Sequence, residues 1–209
     1  WAPQIWWFVL SLFWIFFSLI LAKLVPVLIV PLFFKYRRLE DVSLRERILR
    51  LAEKMHVRIL DCFEIDFSKK TLKANAAFLG WGATRRVILA DTLKEKYSLD
   101  EIEVILAHEF AHYKLGHLLK LVGVNALVTI GCFYLIFKTS AWSLSGFGLS
   151  GLQEIGALPL VLIYFLLFGL IMQPLENYLS RRMERSADRM ALQVTKRKDA
   201  FISMMEKLG

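Results

Sequence analysis

The sequence predicts a mainly α-helical protein that contains a small β-sheet and about three transmembrane helices. Three apolar runs, at residues 5–22, 118–137 and 155–175, are the candidates for the membrane helices. The polar region between the first two runs combines helical and alternating hydrophobic patterns, which indicate a small sheet packed on helices. Hydrophobic residues make up 56% of the chain and its mean hydropathy is +0.48, and both values are high for an ordinary soluble domain.

The first predicted segment, residues 1–34, is a transmembrane helix with a juxtamembrane part. Residues 5–22 are continuously apolar and rich in Trp and Phe, and the apolar stretch that follows is interrupted by Pro26 and Pro31. A cleaved signal peptide is the weaker interpretation, because the run is long, aromatic and not preceded by a basic region. The chain begins with Trp1 rather than Met, and we expect it to be a piece of a longer protein.

The second predicted segment, residues 35–117, contains the small sheet. Hydrophobic residues in the stretch 43–55 have helical spacing. Three strands are predicted, at residues 57–67, 72–79 and 86–90, with a Gly-rich turn between the last two. A further helix begins at Ser98, because Ser98 and Glu101 form the capping-box pattern of a serine followed three residues later by a glutamate.

This last helix carries the pattern H-E-x-x-H at His108, Glu109 and His112. Two histidines four residues apart project from one helix face, so both imidazoles can bind one metal ion. Glu109 lies beside that ion, where its carboxylate can accept a proton from a metal-activated water. The pattern therefore indicates a zinc peptidase. The alternative is a pair of surface histidines that bracket an acid and are satisfied by local hydrogen bonds.

A catalytic zinc ion needs a third protein ligand, and the last segment of the chain, residues 176–209, supplies candidates. Glu184 can bind the metal, and Asp188, one turn later on the same face, can accept the outer N–H of a ligating histidine. The alternative is that both acids form ordinary ion pairs with Arg181 and Arg185. Glu176 is a rival third ligand without a second acid four residues later. We predict one Zn²⁺ per chain, bound by His108, His112 and Glu184.

The predicted mechanism uses a zinc-activated water whose pKa falls to about 7. Glu109 accepts its proton and passes it to the leaving amine. Arg181 is a candidate to stabilise the oxyanion. His117 is predicted to be structural or interfacial rather than a ligand, because it would lie on a different helix face from His112.

The third predicted segment, residues 118–175, comprises two transmembrane helices joined by a short connector rich in Gly and Ser at residues 138–154. Three crossings place the sheet region and the tail on the same side of the membrane. Lys and Arg are concentrated on that side, so the positive-inside rule puts the metal site in the cytoplasm. The net charge of +8 fits this orientation better than nucleic-acid binding, because the basic residues form no separate tract. Cys62 and Cys132 are not expected to form a disulfide.

Four blocks of sequence carry a family resemblance. They are residues 30–33, residues 75–76 with 86–93, the extended histidine motif of residues 108–117, and residues 180–182 with Glu184, Ala187 and Asp188. In these blocks the chain resembles the integral-membrane zinc metallopeptidases that include the type I CAAX prenyl endopeptidase and the bacterial heat-shock protease HtpX. The Tyr-Lys-Leu-Gly-His extension of the histidine motif is more similar to the prenyl endopeptidase.

The resemblance implies an α+β zincin-like metallopeptidase domain in which His108, His112 and Glu184 bind zinc and Glu109 is catalytic. It also implies that the strand around Asn75 and Ala76 holds the substrate backbone by β-addition. From the residues alone, that strand would be an ordinary hairpin strand. Prenyl endopeptidases have further membrane helices before this region and a histidine-containing segment after it.

The predicted function is a membrane-embedded zinc endopeptidase of the bacterial inner membrane or the endoplasmic reticulum. Its substrates would be peptides or proteins, either membrane-associated or prenylated, and an HtpX-like role in the quality control of damaged membrane proteins is the alternative. A non-catalytic membrane scaffold is disfavoured by the intact Glu109. A transporter or channel is disfavoured because the notable ionisable residues in the apolar runs, Lys23 and Lys120, can reach an interface.

Overall fold

A computed structural model describes residues 4–24, 36–66, 76–79 and 86–208. Over these residues the protein is mainly helical with one four-stranded sheet, which confirms the predicted fold class. The α-helices are α1 (Trp6–Leu24), α2 (Val42–Lys54), α3 (Asp91–Lys96), α4 (Leu99–Lys114), α5 (His117–Gly146), α6 (Leu158–Thr195) and α7 (Lys198–Leu208), and a short 3-10 helix spans Ile155–Ala157. The strands are β1 (Tyr36–Arg38), β2 (Asp61–Ile65), β3 (Ala76–Leu79) and β4 (Arg86–Ala90).

The described strands lie in the order β1-β2-β4-β3. β2 and β4 are parallel, whereas β1 pairs antiparallel with β2 and β3 pairs antiparallel with β4. The three predicted strands thus correspond to β2, β3 and β4, while the turn predicted between the last two lies outside the described residues. β1 was not predicted, because a three-residue strand is too short to show an alternating pattern. β3 forms one edge of the described sheet.

The chain forms two compact units. The apolar unit comprises Trp1–Lys23 and Leu119–Arg181, and the sheet unit comprises Leu24–Leu118 and Arg182–Gly209. The division into four consecutive segments stays a prediction. In the compact units, by contrast, segments that are distant in sequence fold together.

Two helices that run through the apolar unit, each with one end in the sheet unit, are long and apolar enough to cross a membrane, by length and composition. They are His117–Gly146 and the helical stretch Ile155–Thr195, whose most apolar windows are only 17% and 6% buried. The core helix of a soluble protein would bury most of such a window. The apolar helix Trp6–Ala22 is shorter. Aromatic contacts pack these helices together, with ring-centroid distances of 5.0 Å between Trp7 and Tyr134 and 5.6 Å between Phe133 and Phe165.

The sheet unit has a conventional hydrophobic core. α2 buries Leu44, Ile48 and Leu51 along one face, as its helical spacing predicts. The helix begins one residue before the predicted start, because the Asp41 carboxylate accepts a hydrogen bond from the Leu44 N–H at 3.0 Å and caps it. Cys62 lies in the same core, where burial raises the pKa of its thiol to about 11. Both cysteines, Cys62 and Cys132, are free.

The histidine helix α4 begins with the predicted capping box. The Ser98 side chain accepts from the Glu101 N–H at 3.3 Å, and the Glu101 carboxylate accepts from the Ser98 N–H at 2.6 Å. Glu101 is buried, and it also accepts hydrogen bonds from Ser203 at 2.6 Å and Lys207 at 2.7 Å on α7. Burial alone would raise the pKa of Glu101, but the bonds from Lys207, Ser203 and Ser98 lower it to about 2. One buried carboxylate thus joins α7 to the start of α4.

Asp100, in the same turn of α4, forms hydrogen bonds with two other parts of the sheet unit. Its carboxylate accepts a hydrogen bond from Arg47 of α2 at 2.7 Å and another from Arg197, between α6 and α7, at 2.6 Å. Together with the Glu101 contacts, these bonds fix α4 relative to α2 and α7. The helix that carries the H-E-x-x-H pattern is therefore a rigidly supported element.

Candidate metal centre

The candidate metal centre lies within the sheet unit, where α4 and α6 bring together three potential ligands. His108 and His112 project from α4, and Glu184 approaches from α6. The His108 and His112 Nε2 atoms are 2.9 Å apart, and they lie 3.3 Å and 3.5 Å from Glu184 Oε2. Among the described residues, these three form the one group of histidine, cysteine or carboxylate side chains that is close enough to share an ion. Glu176 does not belong to it.

The donor set fits a zinc ion. A tetrahedral zinc with ligands at about 2.0–2.1 Å holds its ligand atoms about 3.3 Å apart, close to the three separations in this group. Two imidazoles and one carboxylate also leave the fourth tetrahedral position open, as catalytic zinc sites require. Both histidines present Nε2 to the centre, so their Nδ1 atoms point to outer partners.

Asp188 is the outer partner of His108. Its Oδ1 lies 2.8 Å from His108 Nδ1, so a proton on Nδ1 leaves Nε2 free to bind a metal. Asp188 is one turn after Glu184 on α6, and one face of this helix therefore supplies both the candidate ligand and the partner of another ligand. No ion pair between Asp188 and Arg185 is found in the described part of the chain, which argues against the alternative of simple ion pairing.

The surroundings of the centre shift the pKa values of Glu109 and His112. Burial raises the pKa of Glu109, and the Glu184 carboxylate raises it further, while His108 acts in the opposite direction. A carboxylate with a raised pKa is a better proton acceptor near neutral pH. Burial lowers the pKa of His112, and neighbouring His108 adds to this, although Glu184 opposes it. His112 is thereby favoured in the neutral form that binds metals.

A cavity of about 410 Å³ opens beside the centre. His108, Glu109, Glu184 and Asp188 line it on one side. Its apolar wall is formed by Ala76, Leu93, Tyr97, Ile105, Met204 and Met205. The candidate base and the candidate ligands thus face a space that can hold part of a peptide with apolar side chains.

The remaining predicted site residues are placed as follows. Ala76 begins the edge strand β3 and lines the cavity, whereas Asn75 lies outside the described residues. Arg181 is the last residue of the apolar unit, and its role as an oxyanion donor stays a prediction.

Sequence reasoning did not place His117 or Ser186 beside the centre, although it predicted His117 to be structural or interfacial rather than a ligand. A helix continued from α4 would turn His117 to a different face from His112, but α4 ends at Lys114, and Gly116 adopts a left-handed conformation with a φ of 65°. His117 therefore starts α5, and its Nδ1 lies 3.0 Å from His112 Nδ1. A glycine just after a helix commonly ends it, so Gly116 was the available signal. Ser186 Oγ lies 3.1 Å from His117 Nε2, and no sequence pattern indicated this contact.

Comparisons with known proteins show which family the sequence matches. The sequence model described as peptidase family M48 matches residues 38–208. The chain is 32% identical over 208 residues to the uncharacterized metalloprotease YhfN of Bacillus subtilis, covering 98% of this chain and 49% of that protein. It is 32% identical over 202 residues to CAAX prenyl protease 1 of Saccharomyces cerevisiae, covering 88% of this chain and 44% of that protein.

A solved structure is similar to almost the whole chain. The crystal structure of S. mikatae Ste24p matches with a TM-score of 0.77 and 27% identity, covering 97% of this chain and 52% of that chain. The chain spans about half the length of the curated relatives it matches.

Proposed function

The chain belongs to peptidase family M48, and from that membership and the geometry of the candidate metal centre we propose that it is a membrane-embedded zinc-dependent endopeptidase. The observation that carries the proposal is the convergence of two imidazoles, one carboxylate and Glu109 on a single cavity. His108, His112 and Glu184 would hold the zinc ion, and Asp188 would orient His108. When bound, zinc polarises the peptide carbonyl and lowers the pKa of water to about 7.

Glu109 moves the proton in the proposed reaction. Its carboxylate accepts a proton from the attacking water, whose oxygen forms the new bond to the peptide carbonyl carbon. The C–N bond of the peptide then breaks, and Glu109 returns the proton to the leaving amine nitrogen. The products are one carboxylic acid and one amine, which ionise to a carboxylate and an ammonium group, so Glu109 ends the cycle as it began.

The experiment that tests this function is the substitution Glu109→Gln in the purified chain. Removing the base should lower peptide cleavage by about 10²–10⁴-fold, with zinc content unchanged because Glu109 is not a ligand. Glu95→Gln, on an exposed glutamate of α3, is the matched control and should retain activity. Full cleavage by the Glu109→Gln variant would exclude Glu109 as the base, and zinc-independent cleavage by the unsubstituted chain would exclude the function.

We propose that the substrate is a peptide or protein that binds in an extended conformation along β3. An edge strand has unpaired backbone groups that can add one more strand, and Ala76 of β3 faces the cavity. A substrate series with single N-methylated backbone amides tests this proposal. At least one methylation near the scissile bond should raise KM strongly, and a uniform KM across the series would contradict β-addition.

The name of the yeast relative, CAAX prenyl protease 1, motivates a narrower proposal. We propose that this chain cleaves prenylated C-terminal peptides. Matched farnesylated and unmodified peptides should differ in kcat/KM in favour of the farnesylated one. Equal cleavage of both, together with cleavage of unfolded membrane proteins, would favour the quality-control alternative.

We also propose a multi-pass membrane location with the metal centre on the cytoplasmic side. The support is the length and apolar composition of α5 and α6, and the concentration of Lys and Arg in the regions that flank the centre. Membrane-impermeant labelling of a cysteine introduced at exposed Glu95 tests the orientation. We expect the reagent to label this cysteine when it is applied to the cytoplasmic side of a sealed membrane. Labelling from the opposite side would contradict the proposal.

A further inference from the structure

The two candidate ligand histidines have different outer partners. His108 Nδ1 faces the Asp188 carboxylate at 2.8 Å, whereas His112 Nδ1 faces His117 Nδ1 at 3.0 Å. An ionised carboxylate accepts hydrogen bonds and donates none, so Asp188 by itself keeps the proton of His108 on Nδ1. An imidazole nitrogen can donate or accept, so His117 keeps the proton of His112 on Nδ1 only if its own proton is held on Nε2.

Ser186 fixes the position of the His117 proton. The Ser186 hydroxyl donates to the backbone carbonyl oxygen of Met183 at 2.8 Å, and a carbonyl oxygen has no proton to give. Since a hydroxyl has one proton, Ser186 Oγ must accept in its 3.1 Å contact with His117 Nε2. A singly protonated His117 therefore carries its proton on Nε2. In that form the lone pair of His117 Nδ1 accepts from the N–H of His112 Nδ1, 3.0 Å away.

We propose that His117 and Ser186 form a positioning relay that keeps His112 in the tautomer able to bind the metal. With its proton on Nδ1, His112 presents an unprotonated Nε2 to the centre, 3.5 Å from Glu184 Oε2. The relay performs for His112 the function that Asp188 performs for His108. It rests on the proposed function, because it concerns the same metal centre. His117 is a positioning residue in this arrangement and not a fourth ligand.

The fold explains why these groups meet. The left-handed residue Gly116 interrupts the helix after α4, and His117, the first residue of α5, lies beside His112. His117 is only 3% exposed, so water has little access to compete for its hydrogen bonds. Ser186 lies midway between Glu184 and Asp188 on α6, so one stretch of this helix provides the candidate ligand and both outer supports. The extension of the histidine motif to His117 thus has a physical role within the site.

The test compares zinc dissociation constants of variants of the purified full chain, measured by competition with a fluorescent zinc chelator. His117→Leu removes the acceptor and keeps an apolar side chain in the buried position, and we expect weaker zinc binding by about 10–100-fold. His117→Gln should bind zinc almost as tightly as the unsubstituted chain, because its amide oxygen can accept from His112 while its NH₂ group donates to Ser186. His56→Gln, on the exposed histidine outside the site, controls for the loss of a histidine.

Ser186→Ala provides an independent variant with little change in packing. It frees the His117 proton to move to Nδ1, so zinc binding should weaken, but less than in His117→Leu. In the metal-free protein, ¹⁵N NMR should show a protonated Nδ1 on His112 and the loss of that preference in both His117→Leu and Ser186→Ala. A packing role alone would leave this tautomer signal unchanged.

Two results would overturn the relay. One is an unchanged zinc dissociation constant in Ser186→Ala together with an unchanged His112 tautomer. The other is equal weakening by His117→Gln and His117→Leu, which would show that the hydrogen-bonding pattern is irrelevant. Melting temperatures of the metal-free variants identify any loss of folding, and the Ser186→Ala result decides the matter if His117→Leu does not fold. Failure of the unsubstituted chain to bind zinc would instead contradict the proposed function.

Discussion

The apolar unit exposes many more of its large hydrophobic side chains than the sheet unit does. In the sheet unit, Phe110 is 0% exposed, whereas Leu166 and Ile171 of the apolar unit are 62% and 67% exposed. The sheet unit also pairs its buried charges, as Glu101 shows with Ser203 and Lys207. The sheet unit has the solvation pattern of a water-soluble fold, and the apolar unit has that of helices surrounded by lipid. The difference supports the proposal that the metal chemistry belongs to the sheet unit and membrane contact to the apolar unit.

The largest difference in zinc affinity is expected between substitutions of one glutamate in each unit. Glu184→Ala in the sheet unit removes a proposed ligand, so zinc affinity should fall by more than the roughly 10–100-fold typical of outer partners. Glu176→Ala in the apolar unit should leave the affinity unchanged. Zinc content after dialysis against a chelator measures both variants. Loss of zinc from Glu176→Ala with retention by Glu184→Ala would reverse the assignment.

A charge placed in the apolar unit should have the next largest effect. Leu166→Lys introduces an ammonium near the middle of an apolar helix face, which should disfavour insertion by about 3 kcal/mol. Leu60→Lys is the matched substitution in the sheet unit, where Leu60 is 57% exposed, and it should not change insertion. A membrane-insertion assay with glycosylation reporters measures both. Equal insertion of the two variants would mean that the exposed apolar face does not contact lipid.

A smaller effect is expected when only an outer partner of the centre is altered. Asp188→Asn keeps the size of the side chain but weakens the acceptor that orients His108, so zinc affinity should fall by about 10–100-fold. The cleavage rate at saturating zinc should change much less. Arg185→Gln, on the neighbouring exposed residue, is the control. An affinity equal to that of the unsubstituted chain would separate the Asp188–His108 contact from metal binding.

The smallest effect concerns the support of α4 and its pH dependence. Lys207→Met removes a charged hydrogen bond to buried Glu101 and should destabilise the sheet unit by about 1–2 kcal/mol. The pKa of Glu101 is lowered from 4.5 to about 2, so the stabilisation by its carboxylate is present above pH 4.5 and is lost as the pH falls towards 2. The melting temperatures of the unsubstituted chain and of Lys207→Met should therefore converge as the pH falls below 4.5. A constant difference at all pH values would argue for lost packing instead.

The part of the fold that was predictable is the part specified by local patterns. The capping box at Ser98 and Glu101 and the spacing of Leu44, Ile48 and Leu51 are visible in sequence, because helix caps and faces depend on residues a few positions apart. Strand β1 and helix α3 were missed because they are only three and six residues long. Elements of this length are stabilised by tertiary contacts that sequence does not display.

The same distinction applies to the metal centre. Glu184 and Asp188 were candidates from their helical spacing, and the structure brings them to the two histidines. The contact between His117 and Ser186 depends on a turn at Gly116 and on residues 69 positions apart, so no local pattern could indicate it. Asn75 remains a prediction from the family resemblance.

Anomalous diffraction at the zinc absorption edge, from crystals of the zinc-loaded chain, tests the central claim most directly. We expect one peak in the sheet unit, about 2.0–2.2 Å from His108 Nε2, His112 Nε2 and a carboxylate oxygen of Glu184. No peak at this position, or a peak bound by other side chains while Glu184 lies far from both imidazoles, would contradict the account.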